Sequence, residues 1–178
     1  MPSTPLRPRP AVFFDRDGVL NYDNGYTHKI EDFHWLETAR QAIKVCNDAG
    51  YFVFVVTNQA GIARGYYDEY AVRRLHNYMN ESLNGQGAEI DDFRYCPHHP
   101  EGSVPAYAKP CDCRKPRPGM ILSLLQAWPV IADRSVMFGD RQTDIEAAEA
   151  AGLPGVLFTG GPLRPVVEAT LSKINAAR

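Results

Sequence analysis

The sequence of 178 residues lacks long apolar runs and has no excess of charge of either sign. Its apolar runs fall far short of the roughly 20 residues that a membrane-spanning helix needs, so we expect no membrane segment. Lys plus Arg number 19 and Asp plus Glu number 21, which gives a net charge of -2. This balance provides no general attraction for nucleic acid or for an anionic membrane surface, so we expect neither as a partner.

The first ten residues lack the apolar segment of a signal peptide. We therefore interpret residues 1–10 as a disordered tail and expect a cytoplasmic protein, in which thiols stay reduced. Residues 11–178 show no internal repeat and no domain boundary. At roughly 100 to 200 residues per domain, this length predicts a single domain with its own buried core.

Cysteine is scarce, and three of the four cysteines lie in one short stretch beside two histidines. Clustered thiols in a reducing compartment favour a metal site over a disulfide framework. Three thiolates and one imidazole match a closed, tetrahedral structural zinc site, which would order the loop of residues 96–113. The candidate ligands are Cys96, one of His98 and His99, Cys111 and Cys113.

Ligand chemistry alone leaves alternatives open in this loop. Cys111 and Cys113 could form a strained disulfide, or all three thiols could be free. Ligand chemistry also does not separate His98 from His99, one of which would be free to meet a substrate. Cys46, in contrast, lies in a helical pattern and is interpreted as a small core residue.

Several apolar runs lack the alternation of a half-exposed strand and predict strands buried on both faces, as in a parallel sheet. They span residues 11–14, 52–56, 135–138 and 155–158, with a weaker strand candidate at residues 90–95. Helical patterns lie between them, and this alternation predicts a doubly wound α/β sheet. Such a sheet binds its ligands outside the carboxyl ends of the strands.

Polar side chains follow the predicted strands at that edge of the sheet. They are Asp15 and Asp17 after the first strand, Thr57 and Asn58 at the end of the second, Lys115 after the 97–115 insertion, and Asp140 after residues 135–138. Clustered carboxylates repel one another unless they share a cation or a proton, and oxygen-only donors suit Mg²⁺. A nucleophile, a divalent ion, and donors from Thr57 and Lys115 are what a phosphoryl group needs.

Each of these residues also has an ordinary structural explanation. Asp15 and Asp17 taken alone are typical of turn or capping residues, so the combination carries the prediction. Asp144 could contact the metal, or it could only complement the dipole of the helix that it begins. Arg64 and Arg114 could bind a second anionic group or be surface charges, and Arg114, next to Lys115, is the better candidate.

The motifs Asp15-Arg16-Asp17-Gly18, Thr57-Asn58, Lys115 and Gly139-Asp140 resemble, in order and placement, the four motifs of the haloacid dehalogenase (HAD) superfamily of phosphatases. Within it, residues 57–66 and 113–116 look like the heptose bisphosphate phosphatases. The related histidinol-phosphate phosphatases share the zinc loop and the catalytic motifs. The resemblance implies a sheet of the HAD type with a short flap at residues 18–35, a zinc-binding loop and no large cap domain.

The resemblance also implies roles for individual residues. Asp15 would be the nucleophile that forms an aspartyl-phosphate, and Asp17 the general acid and then the general base. Thr57, Asn58 and Lys115 would grip the transferring phosphoryl group, and Arg114 would contact the substrate beyond it. The metal ligands would be the Asp15 carboxylate, the Asp17 backbone carbonyl and Asp140 for Mg²⁺, and Cys96, His98, Cys111 and Cys113 for Zn²⁺.

These roles imply a Mg²⁺-dependent phosphoric monoester hydrolase that acts as a cytoplasmic monomer on a small phosphorylated sugar. The implied reaction removes the 7-phosphate of D-glycero-D-manno-heptose 1,7-bisphosphate in the biosynthesis of ADP-heptose, for lipopolysaccharide core or surface layers. The alternative in the same class is a histidinol-phosphate phosphatase. The alternative from another class is a catalytically silent zinc-binding scaffold.

Overall fold

One parallel sheet of five strands forms the centre of the protein in a computed structural model that describes residues 6–177. The strands are β1 (Ala11–Phe14), β2 (Phe52–Asn58), β3 (Asp92–Cys96), β4 (Val136–Gly139) and β5 (Gly155–Leu157). They lie in the order β3-β2-β1-β4-β5, and every neighbouring pair is parallel. The predicted parallel sheet is confirmed, and the weaker strand candidate forms β3.

Helices cover both faces of this sheet. They are α1 (Ala39–Asp48), α2 (Glu69–Asn84), α3 (Gly119–Ala127), α4 (Gln142–Ala150) and α5 (Leu163–Ala176), with short 3-10 helices at Ile30–Asp32 and Ala132–Arg134. Helices α1, α2 and α5 contribute to the core on one face, and α3 and α4 to the core on the other. The predicted doubly wound architecture is therefore confirmed. Among the described residues, every helix is too short or too polar to cross a membrane.

The strand β1 shows why the apolar runs do not alternate with polar residues. Successive side chains of a strand point to opposite faces, and here both faces carry helices. Val12 and Phe14 pack in the core below α1, α2 and α5, whereas Ala11 and Phe13 pack against the side of α3 and α4. All four side chains are completely buried. A polar residue on either face would lose its hydration without gaining a partner.

The strand order reverses between β1 and β4, and this reversal positions the site. The chain winds outwards from β1 through β2 to β3 and then crosses back to form β4 on the other side of β1. Such a switch point opens a crevice at the carboxyl ends of the two strands. The Asp15 N–H continues the pairing of these strands, donating to the carbonyl oxygen of Phe138 at 2.9 Å. Asp15 is thereby fixed at the crevice.

Backbone pairing with the folded part of the chain begins before residue 11. The Arg9 N–H donates to the Pro129 carbonyl at 3.1 Å, and the Arg9 carbonyl accepts from the Ile131 N–H at 2.8 Å. The Arg9 guanidinium also lies over the Phe52 ring, and Pro10 is buried. Residues 9 and 10, which the sequence analysis assigned to a disordered tail, thus pair with the folded part. Residues 1–5 of that predicted tail lie outside the described residues.

Candidate active site

A buried lysine joins two carboxylates at the carboxyl ends of β1 and β4. Lys115 Nζ lies 2.8 Å from Asp15 Oδ1 and 2.7 Å from Asp144 Oδ1. Its third hydrogen bond goes to the Val56 carbonyl oxygen at 2.8 Å. An ammonium group has three donors, so this buried charge is fully paired. Asp15 and Lys115, two of the residues that predicted a phosphoryl site, are therefore in direct contact.

The charges of this cluster are not balanced by the lysine alone. Burial raises the pKa of the Asp15 carboxyl to about 7, because the loss of hydration outweighs the attraction of Lys115. Burial also raises the pKa of Asp140. Although burial opposes its charge, Lys115 has a raised pKa because Asp15 and Asp144 stabilise the ammonium. The carboxylates therefore favour an additional cation or a proton.

The geometry around Asp140 fits a hard cation such as Mg²⁺. Carboxylate oxygens of Asp15, Asp140 and Asp144 lie within 4.8 Å of one another. Asp140 Oδ1 is buried, and no group within residues 6–177 donates a hydrogen bond to it. Gly18 makes room for this carboxylate, because a Cβ there would lie 2.2 Å from Asp140 Oδ2. Oxygen donors in this arrangement are the ligands that Mg²⁺ prefers.

Asp144 has the capping role that the sequence analysis left open. Its Oδ2 accepts the Arg141 N–H at 3.0 Å, as the acidic residue of a capping box at the start of α4. Its Oδ1 binds Lys115. Both oxygens of Asp144 thus have protein partners, whereas Asp140 keeps a free oxygen. Asp140 is accordingly the better candidate for direct contact with a cation.

Asp17 lies apart from the lysine cluster and is held by three other side chains. Arg16 Nη2 donates to its two oxygens at 3.0 and 3.1 Å. Asn21 Nδ2 donates to Oδ1 at 2.9 Å, and Gln59 Nε2 donates to Oδ2 at 3.1 Å. Asp17 also lines a cavity of about 540 Å³. The two aspartates of the first motif therefore have different surroundings, which suits different roles.

The residues at the end of β2 contact the site in different ways. Thr57 is buried, and its hydroxyl accepts a hydrogen bond from Gln59 at 2.8 Å. The Asn58 amide bonds the backbone of Lys115 on both sides, accepting from its N–H at 3.0 Å and donating to its carbonyl at 3.2 Å. Both residues line the cavity. Asn58, predicted to bind substrate, is seen here to hold Lys115 in place.

A cavity of about 540 Å³ opens above this cluster. Its wall also includes Arg64, His99 and Arg114. Arg64 Nε and Arg114 Nη1 are buried, and neither has a hydrogen-bond acceptor in the part of the chain that the structure describes. Buried donors are almost always paired, so two open donors in one wall indicate a place for an anionic group.

The predicted zinc ligands converge in the loop that leads to Lys115. The sulfur atoms and His98 Nδ1 lie 2.9 to 3.7 Å from one another in the contacts that join Cys96, His98, Cys111 and Cys113. Within the described residues all four cysteines are free, so the alternative disulfide is absent. The contact with the Cys96 sulfur lowers the pKa of Cys113 to about 5, which favours the thiolate form of this sulfur. This donor set fits Zn²⁺.

The structure also separates the two histidines of the loop. His98 joins the cysteines, and His99 lies in the cavity wall. Three residues that the sequence analysis did not select bear directly on the site, namely Arg16, Gln59 and His76. Arg16 could have been noticed as a charged residue between two aspartates in an otherwise apolar segment. Gln59 directly follows Thr57 and Asn58 at the end of β2, which is a positional signal. His76 carries no signal, because only the fold brings it to Arg16.

The fold and the site together define a phosphatase of the HAD class. The family described as "HAD-hyrolase-like" matches residues 112–175. The D-glycero-beta-D-manno-heptose-1,7-bisphosphate 7-phosphatase of Rhodopseudomonas palustris is 49% identical over 169 residues, which cover 95% of this chain and 94% of that protein. A second relative is the D-glycero-alpha-D-manno-heptose-1,7-bisphosphate 7-phosphatase of Photorhabdus laumondii. It is 42% identical over 165 residues, which cover 91% of this chain and 90% of that protein.

Among solved structures, D,D-heptose 1,7-bisphosphate phosphatase from B. bronchiseptica, complexed with magnesium and phosphate, has a TM-score of 0.77 and 29% identity. The match covers 92% of this chain and 99% of that one. The chain therefore belongs to the family of D-glycero-D-manno-heptose-1,7-bisphosphate 7-phosphatases. The family assignment and the prediction of a phosphoric monoester hydrolase are confirmed.

The raised pKa of Asp15 predicts that this carboxylate destabilises the metal-free fold. Asp15 is protonated up to about pH 7 in the folded chain but ionises near pH 4 when unfolded, so its contribution to stability is lost as pH rises between these values. In a chelator, Asp15→Asn should therefore raise the unfolding midpoint at about pH 8. The gain should shrink towards about pH 4, as thermal unfolding followed by circular dichroism would show.

The matched control for this measurement is Asp133→Asn, which changes an exposed carboxylate in the 3-10 helix before β4. It should leave the midpoint nearly unchanged at both pH values, because exposed substitutions typically change stability by about 0.5 kcal/mol or less. A lower midpoint for Asp15→Asn at about pH 8 would mean that the Asp15–Lys115 pair stabilises the fold more than burial opposes it.

Proposed function

We propose that this chain hydrolyses the 7-phosphate of D-glycero-D-manno-heptose 1,7-bisphosphate. The observation that carries the proposal is a single cavity with two sets of groups suited to anions. The first set is the ammonium group of Lys115, which lies beside Asp15. The second set is the pair of buried donors on Arg64 and Arg114 that have no acceptor among the described residues. A sugar with a phosphate at each end would engage both sets. The names of the relatives support the same substrate.

In the first step Asp15 attacks phosphorus and forms an aspartyl-phosphate, while the bond between phosphorus and the sugar oxygen breaks. The electron pair of that bond passes to the sugar oxygen, which takes a proton from Asp17. Lys115 exchanges one of its three present hydrogen bonds for a phosphoryl oxygen, and the Thr57 hydroxyl donates to another. Such donors, already in place before the reaction, stabilise the charge that the transition state develops.

In the second step Asp17 accepts a proton from a water molecule, whose oxygen attacks phosphorus. The bond between phosphorus and the Asp15 carboxylate then breaks, inorganic phosphate is released, and Asp15 is regenerated. The contacts of Asp17 with Gln59 and Asn21 keep its carboxylate at the cavity wall throughout. One carboxylate therefore serves as nucleophile, and the other transfers protons in both directions.

The Mg²⁺ ion of this reaction would be held by the Asp15 carboxylate, the Asp17 backbone carbonyl and Asp140. When bound, it would offset the negative charge of the carboxylates and of the phosphoryl oxygens. The free oxygen of Asp140 and the raised pKa values of Asp15 and Asp140 support this assignment. The magnesium and phosphate in the B. bronchiseptica relative also support it.

The second set of anion-binding groups favours a bisphosphate over the alternative, histidinol phosphate. That compound carries an ammonium group, which two arginines would repel. A silent scaffold is also less consistent with the site, because the buried Lys115–Asp15 pair and the open Asp140 oxygen have no evident structural use. A monomeric state and a cytoplasmic location stay predictions.

We further propose that Cys96, His98, Cys111 and Cys113 hold a structural Zn²⁺. The Arg114 N–H points to Cys111 Sγ at 3.4 Å, so the sulfur cluster and the proposed substrate-binding arginine are neighbours in the loop. The loop has few buried apolar side chains of its own. A metal would therefore fix the backbone that carries Arg114 and Lys115 into the cavity.

The first test is phosphate release in the presence of Mg²⁺ from both anomers of heptose 1,7-bisphosphate and from histidinol phosphate. We expect faster release from a heptose anomer, and no turnover by Asp15→Asn, because that variant lacks the nucleophile. Asp133→Asn, the exposed control, should keep full activity. Preference for histidinol phosphate would contradict the proposed substrate, and substantial turnover by Asp15→Asn would contradict the nucleophile assignment.

A second prediction concerns the arginines of the cavity wall. Arg64→Met and Arg114→Met should each raise KM for the heptose bisphosphate by roughly tenfold or more, because each removes a charge-assisted hydrogen bond. Their effect on a simple aryl monophosphate should be small. Arg117→Met is the control, since Arg117 is exposed and pairs only with Asp112 in the described contacts. Equal losses on both substrates would argue against a second phosphate site.

A third prediction concerns zinc. Cys111→Ser should lower the zinc content of the purified protein well below one ion per chain and lower the unfolding midpoint, because three ligands bind Zn²⁺ less tightly than four. Cys46→Ala, which removes a thiol in the core, should keep its zinc. Elemental analysis and thermal unfolding supply the two readouts. Unchanged zinc in Cys111→Ser would show that these thiols do not form the site.

A further inference from the structure

Arg16 is a completely buried arginine that forms an ion pair with the site residue Asp17. Its relative exposure is 0%, and it is the largest fully buried side chain among residues 6–177. Its guanidinium binds both oxygens of Asp17, through Nη2 at 3.0 and 3.1 Å and Nε at 3.3 Å. No other carboxylate in the described chain forms an ion pair with it.

Two further contacts fix the guanidinium itself. Nη2 donates to the carbonyl oxygen of Thr27, in the flap of residues 18–35, at 2.6 Å. Nη1 lies 3.3 Å from Nε2 of His76, a buried residue of α2 that stacks on the Phe93 ring. Burial, aided by the Arg16 charge, lowers the pKa of His76, so the ring is neutral and its Nε2 can accept this hydrogen bond. Arg16 is thus held from two sides.

A buried ion pair of this kind is a poor device for stability alone. The loss of hydration of both charges offsets most of their attraction, and apolar residues of similar size often give an equally stable fold. What the pair does provide is a fixed orientation, because the planar fork of a guanidinium binds a carboxylate in one geometry. In this site the carboxylate so oriented belongs to Asp17, which lines the cavity.

We propose that Arg16 is the positioning residue of Asp17, anchored by His76 and the Thr27 carbonyl, and that it aims the Asp17 carboxyl for proton transfer to the leaving oxygen. This inference rests on the proposed function, because it assumes that Asp17 transfers the proton. The two aspartates of the motif would then each have their own buried cation. Lys115 serves the nucleophile Asp15, and Arg16 serves the acid–base residue.

The inference predicts a particular dependence on the leaving group. A leaving oxygen that is a weak acid needs a proton when its bond to phosphorus breaks, whereas a strongly acidic phenol leaves without one. Misplacing Asp17 should therefore slow substrates with weakly acidic leaving groups most. A merely structural role of Arg16 would lower the activity on all of them by the same factor.

The experiment measures kcat/KM for a series of substituted phenyl phosphates, from p-nitrophenyl to unsubstituted phenyl phosphate. The rate is followed by phenol release, which reports the first step of the reaction. In Arg16→Met the loss on phenyl phosphate should exceed the loss on p-nitrophenyl phosphate by roughly tenfold or more, as general acid catalysis is worth about 10² to 10⁴. The ratio of the two rates within one preparation does not depend on the folded fraction. Arg16→Gln is the second variant if Arg16→Met does not fold.

Three comparisons make the result specific to Asp17. Asp17→Asn should show the same steep dependence on the leaving group, and adding Arg16→Met to it should steepen the dependence no further, because the two residues act as a unit. Arg16→Lys, which keeps the charge but not the fork, should lie between wild type and Arg16→Met. Arg94→Met is the control, since Arg94 pairs with an aspartate, Asp92, on β3 away from the cavity lining.

An unchanged leaving-group dependence in a folded Arg16→Met or Arg16→Gln variant would overturn the inference and leave the proposed function intact. A steeper dependence in the double variant than in Asp17→Asn would also overturn it, because Arg16 would then act through another group. Inactivity of the wild-type protein on every phosphate, including the heptose bisphosphates, would instead overturn the proposed function and the inference with it.

Discussion

The site depends on one buried ammonium group, that of Lys115, placed between Asp15 and Asp144. A buried charge is tolerated only where it is paired and its own hydrogen bonds are satisfied. Three elements must meet for this to happen, because the acceptors come from the ends of β1 and β2 and from the start of α4. The crevice at the strand reversal is where the fold brings these elements together.

The loop that delivers Lys115 is therefore as much a part of the site as the strands. The side chain of Asn58 pairs with both the N–H and the carbonyl of Lys115, so the end of β2 fixes this backbone directly. The sulfur cluster lies immediately before it in the chain, and Cys111 also contacts the Arg114 N–H. This loop, which lacks a core of its own, is thus held at two places. One is the pair of hydrogen bonds from Asn58, and the other is the Cys/His cluster that suits a metal. Both act on the residues Arg114 and Lys115, which line the cavity.

Most of the fold could be predicted from the sequence, because its signals are local. Apolar runs without alternation identify strands covered on both faces, and the parallel order then gathers the polar residues that follow them at one edge. The contacts of Arg9 with Pro129 and Ile131 could not be predicted, since backbone pairing between distant segments leaves no mark in composition. The same limit applies to the role of Asn58, whose type fits both substrate binding and support of Lys115.

Arg16 shows why part of a site escapes sequence reasoning even when its neighbours are recognised. An arginine between two aspartates is expected to be solvated, because charged residues are almost never fully buried unless paired. The partners that make its burial possible, His76 and the Thr27 carbonyl, lie 60 and 11 residues away in the sequence. The pattern of the motif thus identifies the carboxylates to which we assign the reaction. The fold decides which groups surround each carboxylate, Lys115 for Asp15 and Arg16 for Asp17. Because the two side chains are chemically identical, only their surroundings can give one the role of nucleophile and the other the role of acid and base.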